Sequence, residues 1–175
     1  MRLRPIIGAT ALSAAVLLTS GGSGAAARTV KTCTWGGTPA APTGTFGNRP
    51  GLTNTPNPGI ITFWVKGVLG GDCHGTMSFA GAYEPNGSCL AATFGGTVKG
   101  LPGVKSFKGT NAAGFLPSRL YDKAGKLGGS ENANAYTTDN ALGGPFMACN
   151  TPEGMTSGNF SAVIVLFGNT TPAQP

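Results

Sequence analysis

Past residue 35, glycine and proline recur every few positions, and that spacing denies the chain any long helix. An interior glycine costs a helix about 1 kcal/mol relative to alanine, and a proline about 3. No window holds apolar residues at spacings of 3, 4 and 7. The chain instead shows two-residue alternation broken by turn residues, which predicts a sheet of short strands.

Residues 60–69 (IITFWVKGVL) put Ile61, Phe63, Val65 and Leu69 on one face and Thr62, Trp64, Lys66 and Val68 on the other. Residues 76–83 and 88–98 flank Glu84-Pro85-Asn86-Gly87, and Asn-Gly is a strong two-residue hairpin signal. With Asn86 and Gly87 central, Tyr83 opposes Leu90 and Phe79 opposes Phe94, so the apolar sets share a face. Further strands are expected at 104–109, at 117–121 and, after a turn at 122–125, from Lys126 onward. Residues 139–157 read as a long loop pinned by Cys149. Residues 159–167 (NFSAVIVLF) read as a strand apolar on both faces and therefore covered on both.

The segment 36–59 holds Pro39, Pro42, Pro50, Pro56 and Pro58, which argues against a helix or a central strand. Two readings stay open for it: an arm wrapped over the outer face of 159–167, or disorder. The fold expected is all-β, a single antiparallel barrel or sandwich of about seven to nine short strands, with the barrel preferred. Its core spans 60–168, preceded by an N-terminal strand and the Pro/Gly-rich segment at 28–59 and followed by a tail at 169–175.

The first residues carry Arg2 and Arg4, an apolar run from Ile6 to Leu18, and Ala25-Ala26-Ala27. This is the pattern of a secretory signal peptide, cut after Ala27. The run is interrupted by Gly8, Thr10 and Ser13 and is too short to span a bilayer stably. No cysteine follows it closely, so neither a lipid anchor nor another stable membrane anchor is expected. Cleavage removes two arginines and lowers the net charge from +6 to +4. The remaining lysines, densest at Lys99, Lys105 and Lys108, are too scattered for a nucleic-acid surface.

In an exported chain, Cys33, Cys73, Cys89 and Cys149 imply two disulfides. Their spacings of 40, 16 and 60 residues lack the close ligand pairs of a zinc site, so no metal is expected. Of three connectivities, the hairpin register disfavours the one joining Cys73 to Cys89.

Catalytic apparatus is sparse. The one histidine, His74, lies two residues from Asp72, and in an extended stretch the two would share a face as an acid/base pair. The competing reading is a polar strand end beside a cystine. The carboxylates Asp72, Glu84, Asp122, Glu131, Asp139 and Glu153 show no pairwise spacing that marks glycoside chemistry, and turn chemistry accounts for Glu84 and Asp122. No nucleophile elbow, phosphate loop or dinucleotide fingerprint occurs, so no cofactor is expected. Trp35, Phe63, Phe79, Tyr83 and Phe94 are suited either to a packed core or to lining an apolar cavity. Trp64 falls on the polar face of its strand, where a tryptophan can act as a binding platform.

In outline the chain resembles secreted calycin-type and allene-oxide-cyclase-like barrels: short strands, Gly-rich turns, aromatics near the start. Lipocalins and avidins open on G-x-W, whereas this chain has Cys33-Thr34-Trp35, and no binding residue carries over. The functional expectation is a secreted, non-catalytic barrel that binds a small apolar molecule or an extracellular surface component, with Trp64, Phe79, Tyr83 and Phe94 as ligand-binding candidates. The alternatives are a protein-binding or inhibitor module using Asn54–Gly59, and a pocket-based isomerase or cyclase. The doubly apolar strand leaves a homodimer open.

Overall fold

The computed structural model describes residues 29–136 and 147–168. The signal-peptide reading of residues 1–27, the tail at 169–175 and the part of the 139–157 loop before residue 147 lie outside them. The strands are β1 (Val30–Trp35), β2 (Gly37–Thr38), β3 (Ala41–Pro42), β4 (Gly44–Leu52), β5 (Ile61–Gly71), β6 (Thr76–Tyr83), β7 (Ala91–Lys99), β8 (Ser106–Ala112), β9 (Phe115–Tyr121), β10 (Leu127–Tyr136) and β11 (Met155–Phe167). From β4 to β11 each strand pairs antiparallel with the next, and β11 returns to pair with β4. The result is a closed barrel of eight strands.

One stave of this barrel is made of two pieces. The long strand β11 pairs with β4 through Met155–Phe160 and with β1 through Ala162–Phe167. β5 likewise pairs with β4 near its start and with β1 at Leu69–Gly71. β1 and β4 therefore lie in the same wall position, separated by the small β2–β3 hairpin. Closure leaves the sheet no free edge.

Register explains which side chains meet inside. Followed from strand to strand, one row passes Ile61, Tyr83, Phe94, Gly109, Ser118, Glu131, Ile164 and Cys33, and regains β5 at Gly71. Starting at Ile61 and ending at Gly71, the row has climbed ten residues along β5. A stagger of this kind tilts the strands against the barrel axis. The row thus holds the aromatic pair Tyr83–Phe94 and the polar pair Ser118–Glu131 at one level of the interior.

The observed pairing corrects the expected hairpin register. Tyr83 faces Phe94 and Phe79 faces Val98, a slip of four residues from the expected pairs, and an even slip keeps the same side chains inward. The turn centres on Pro85 and Asn86 rather than on Asn86 and Gly87. Gly87 N–H donates to the Glu84 carbonyl at 3.2 Å, and Asn86 has φ 68°. Proline in the second position and a residue tolerant of positive φ in the third favour this turn over the two-residue hairpin. Residues 88–90 then continue as loop, because Cys89 N–H is held by the Thr53 carbonyl at 2.8 Å and its sulfur by Cys149.

The segment 36–59 is also corrected: it contributes a barrel stave rather than a wrapping arm. Proline is tolerated there because Pro50 needs no ladder partner. The β4–β5 ladder ends at Arg49, and the β4–β11 register shifts between Met155 and Ser157, so Pro50 sits where neither neighbour requires an N–H. With no arm over it, the outer face of β11 is not covered as expected, and Val163 is 45% exposed.

The disulfides are Cys33–Cys73 and Cys89–Cys149, one at each end of the barrel. The first ties β1 to the β5–β6 turn. The second ties the β6–β7 loop to the short 3-10 turn Ala148–Asn150 that leads into β11.

Glycines allow the strands to curve tightly around large side chains. On β7, a Cβ at Gly96 would lie 2.1 Å from the Ala80 carbonyl oxygen and 2.6 Å from the Gly81 Cα. Gly96→Ala is expected to lower unfolding stability by about 1 to 3 kcal/mol, because backbone must move to admit one methyl group. Urea denaturation of the variant checks this, and an unchanged midpoint would show that the wall yields freely there.

Candidate functional site

The interior is filled mainly by rings that touch one another. Trp35 meets Phe160 at 4.4 Å and Phe79 at 4.6 Å between centroids, and Phe79 stacks on Phe107 at 4.2 Å. Phe63 contacts Tyr83, Phe94 and Phe107. Trp35 is buried, and its Nε1–H donates to the Met77 carbonyl at 3.2 Å, so the indole carries no unmet polar group. Gly67 makes room for it, since a Cβ there would come within 2.9 Å of Nε1.

Among these rings lies a cavity of about 60 Å³. Its lining combines the rings of Trp35, Phe46, Phe63, Phe79, Tyr83, Phe94, Phe107 and Phe160 with the polar side chains of Asn48 on β4, Asn111 on β8, Ser118 on β9 and Glu131 on β10. A space of this size exceeds what one water needs and falls short of the ~150 Å³ that admits benzene. It suits a few heavy atoms.

Four polar side chains in an apolar barrel must be accounted for, because each costs free energy if unpaired. Asn111 is fully used. Its Nδ2 donates to the carbonyls of Ser88 and Cys89 at 3.1 and 3.0 Å, and its Oδ1 accepts from Gly114 N–H at 3.0 Å, so it anchors the loops at the Cys89–Cys149 end. Asn48 is half used: Nδ2 donates to the Met155 carbonyl at 2.9 Å, where the β4–β11 ladder breaks, while Oδ1 has no partner. Ser118 Oγ is buried without a fully formed hydrogen bond.

Glu131 is the decisive residue. It is 2% exposed and lies directly across from Ser118 on β9 and Ile164 on β11. Burial pushes its carboxyl up to about 8, and the neighbouring Ser118 hydroxyl opposes this only in part. Near neutral pH it is therefore largely a protonated acid inside an aromatic chamber. Burial also pushes the Tyr83 phenol up.

The chain matches no protein-family model, no curated protein and no solved structure.

Of the residues singled out in the sequence, Phe79, Tyr83 and Phe94 line this cavity. Trp64 does not. It is 52% exposed on the outer wall, its indole lying against Gly47 so closely that a Cβ there would sit 2.6 Å from Nε1. Asp72 and His74 are exposed in the β5–β6 turn, at the end away from the Cys89–Cys149 bridge. Asp72 has a structural task there, with Oδ2 accepting from Thr32 N–H at 2.9 Å. Among the described residues no group of three or more His, Cys, Asp or Glu side chains could hold a metal ion.

Sequence reasoning placed Glu131 among six unpaired acids and missed its site. The available signal was its position in SENANAY, where Glu131, Ala133 and Ala135 alternate with polar neighbours and so fall on the inward face.

The segment 54–59, considered as an inhibitory loop, spans the barrel end that carries Cys89. Asn54 N–H donates to the Cys149 carbonyl at 3.0 Å and its Nδ2 to Asn150 Oδ1 at 2.6 Å. Asn57 exchanges backbone hydrogen bonds with Asn86 and Gly87. This loop is built into the barrel's own closure, with Thr55, Pro56 and Pro58 facing outward.

Proposed function

We propose that this protein binds a small molecule, or the head group of a larger one, inside the barrel after export from the cell. The observation that carries the reading is the aromatic cavity whose lining includes the buried Glu131 together with Ser118 and Asn48, whose Oγ and Oδ1 have no hydrogen-bond partner. Buried polar atoms without protein partners are sites for a ligand or for ordered water. Export is supported by the N-terminal sequence pattern and agrees with the two disulfides, and no described helix is long and apolar enough to cross a membrane.

Trp35 reports on the site because it lines the cavity. In a Trp64→Phe background, a library of small polar-headed molecules is expected to contain members that shift Trp35 emission saturably. Asn48→Leu, which fills space and removes an acceptor, is expected to weaken those members at least tenfold. A library without a saturable shift would count against interior binding.

Glu131 also supports a second reading, a pocket-based isomerase. A carboxylic acid kept protonated near neutrality is poised to lend and recover a proton. Turnover of a bound compound that stops in Glu131→Gln would favour catalysis, and binding without turnover would favour a carrier.

A further inference from the structure

Two side-chain oxygens of cavity-lining residues, Asn48 Oδ1 and Ser118 Oγ, have no hydrogen-bond partner, and the Glu131 carboxyl lies across from Ser118. The amide donors of Asn48 and Asn111 are already committed to backbone carbonyls. A ligand with several N–H donors would serve these side-chain oxygens, Glu131 as its carboxylate. Among the described residues lining the cavity there is no lysine, arginine or histidine, and one carboxyl faces a set of aromatic rings. Aromatic faces attract cations, most strongly where water is excluded.

Resting on the interior-binding reading, we infer that the ligand is an organic ammonium ion, a small amine or an amine head group, whose N–H donors meet Glu131, Ser118 and Asn48 while the rings enclose its carbons. An anionic ligand would set its charge against Glu131 and the negative ring faces. A neutral alcohol would use the acceptors and forgo the charge attraction. The cavity of about 60 Å³ limits the inserted part to a few heavy atoms.

The charge of Glu131 is set by few neighbours. Ser118 on β9 and Ile164 on β11 flank it without charge, Arg119 and Lys108 alternate to the outside, and Tyr83 is the other titratable side chain lining the cavity. Binding an ammonium ion requires Glu131 to ionise, so at pH 6 the complex releases close to one proton and the affinity rises roughly tenfold per pH unit until Glu131 is ionised in the free protein.

Ethylamine, ethanol and acetate, similar in carbon framework, small enough for the cavity and different in charge, test this by NMR titration of the interior methyl and ring resonances at pH 6, 7 and 8. Ethylamine is expected to bind at least tenfold tighter than ethanol at pH 8, with the predicted pH slope, and acetate not to bind. Glu131→Gln should abolish the amine's advantage over the alcohol and its pH slope. Ethanol binding as tightly as ethylamine would overturn the ammonium assignment and leave interior binding standing. Silence from all three interior titrations would overturn both.

Discussion

Unfolding free energy is expected to fall by on the order of 4 to 5 kcal/mol as the pH rises from about 4.5 to about 8, and Glu131→Gln should remove most of that slope. Glu131 carries its carboxyl at about 8 in the folded barrel and near 4.5 when unfolded. Below 4.5 both states hold the proton and the stability is fully present. Between the two values the unfolded chain gives up the proton and the folded barrel keeps it, so each pH unit costs about 1.4 kcal/mol. Above 8 both are ionised and this contribution is flat. Urea unfolding of both proteins at half-unit intervals reads the effect directly. The two curves should run together near pH 4 and separate as the pH rises, the variant being the more stable at pH 8. Parallel curves throughout would mean that the carboxyl is solvated in the native state.

The second large effect concerns Cys89–Cys149. The bridge spans 60 residues of sequence, and in the chain-entropy picture removing it costs about 4 kcal/mol, by widening the unfolded ensemble. Cys33–Cys73 spans 40 residues, for which the same picture gives a loss nearly as large. The pair of double variants to alanine differs in what else is lost. Cys89 and Cys149 both line the cavity, and their loops carry the hydrogen bonds from Asn54 and Asn111. Loss of that bridge should speed amide exchange at Cys89, Asn54 and Asn57 and expose the interior to water. Loss of Cys33–Cys73 should leave those amides unchanged. Equal protection changes at both ends in both variants would refute a local role for either bridge.

Much of the barrel was legible because alternation constrains facing more tightly than it constrains register. Ile61, Phe63, Val65 and Leu69 point inward as their spacing requires, and Phe79 and Phe94 remain inside although their expected pairing was four residues off. Turn identity was misread because Pro85 outcompetes the Asn-Gly pair for control of the backbone. The stave at 44–52 escaped notice because proline is normally a mark against a central strand, and only the broken ladder beside Thr156 makes Pro50 harmless. The site was harder still. Glu131 and Ser118 are far apart in character from the rings that face them, and no local pattern in β9 or β10 announces that their inward positions meet at one level of a closed wall. That follows from the stagger, which is a property of all eight strands together.

The divided stave carries a consequence for how the chain acquires its shape during synthesis. Val30 pairs with Phe167, so the first described strand and the last are partners across nearly the whole sequence. Contacts so remote are slow to form and cannot begin until the C-terminal strand exists. β5 offers β1 only the short pairing at Leu69–Gly71 in the meantime. The meander from β4 to β10 can assemble as each hairpin emerges, while the seam waits. Closure is thus an event of the completed chain, and an unfinished product exposes open edges on both β4 and β10, ready to pair with a neighbour.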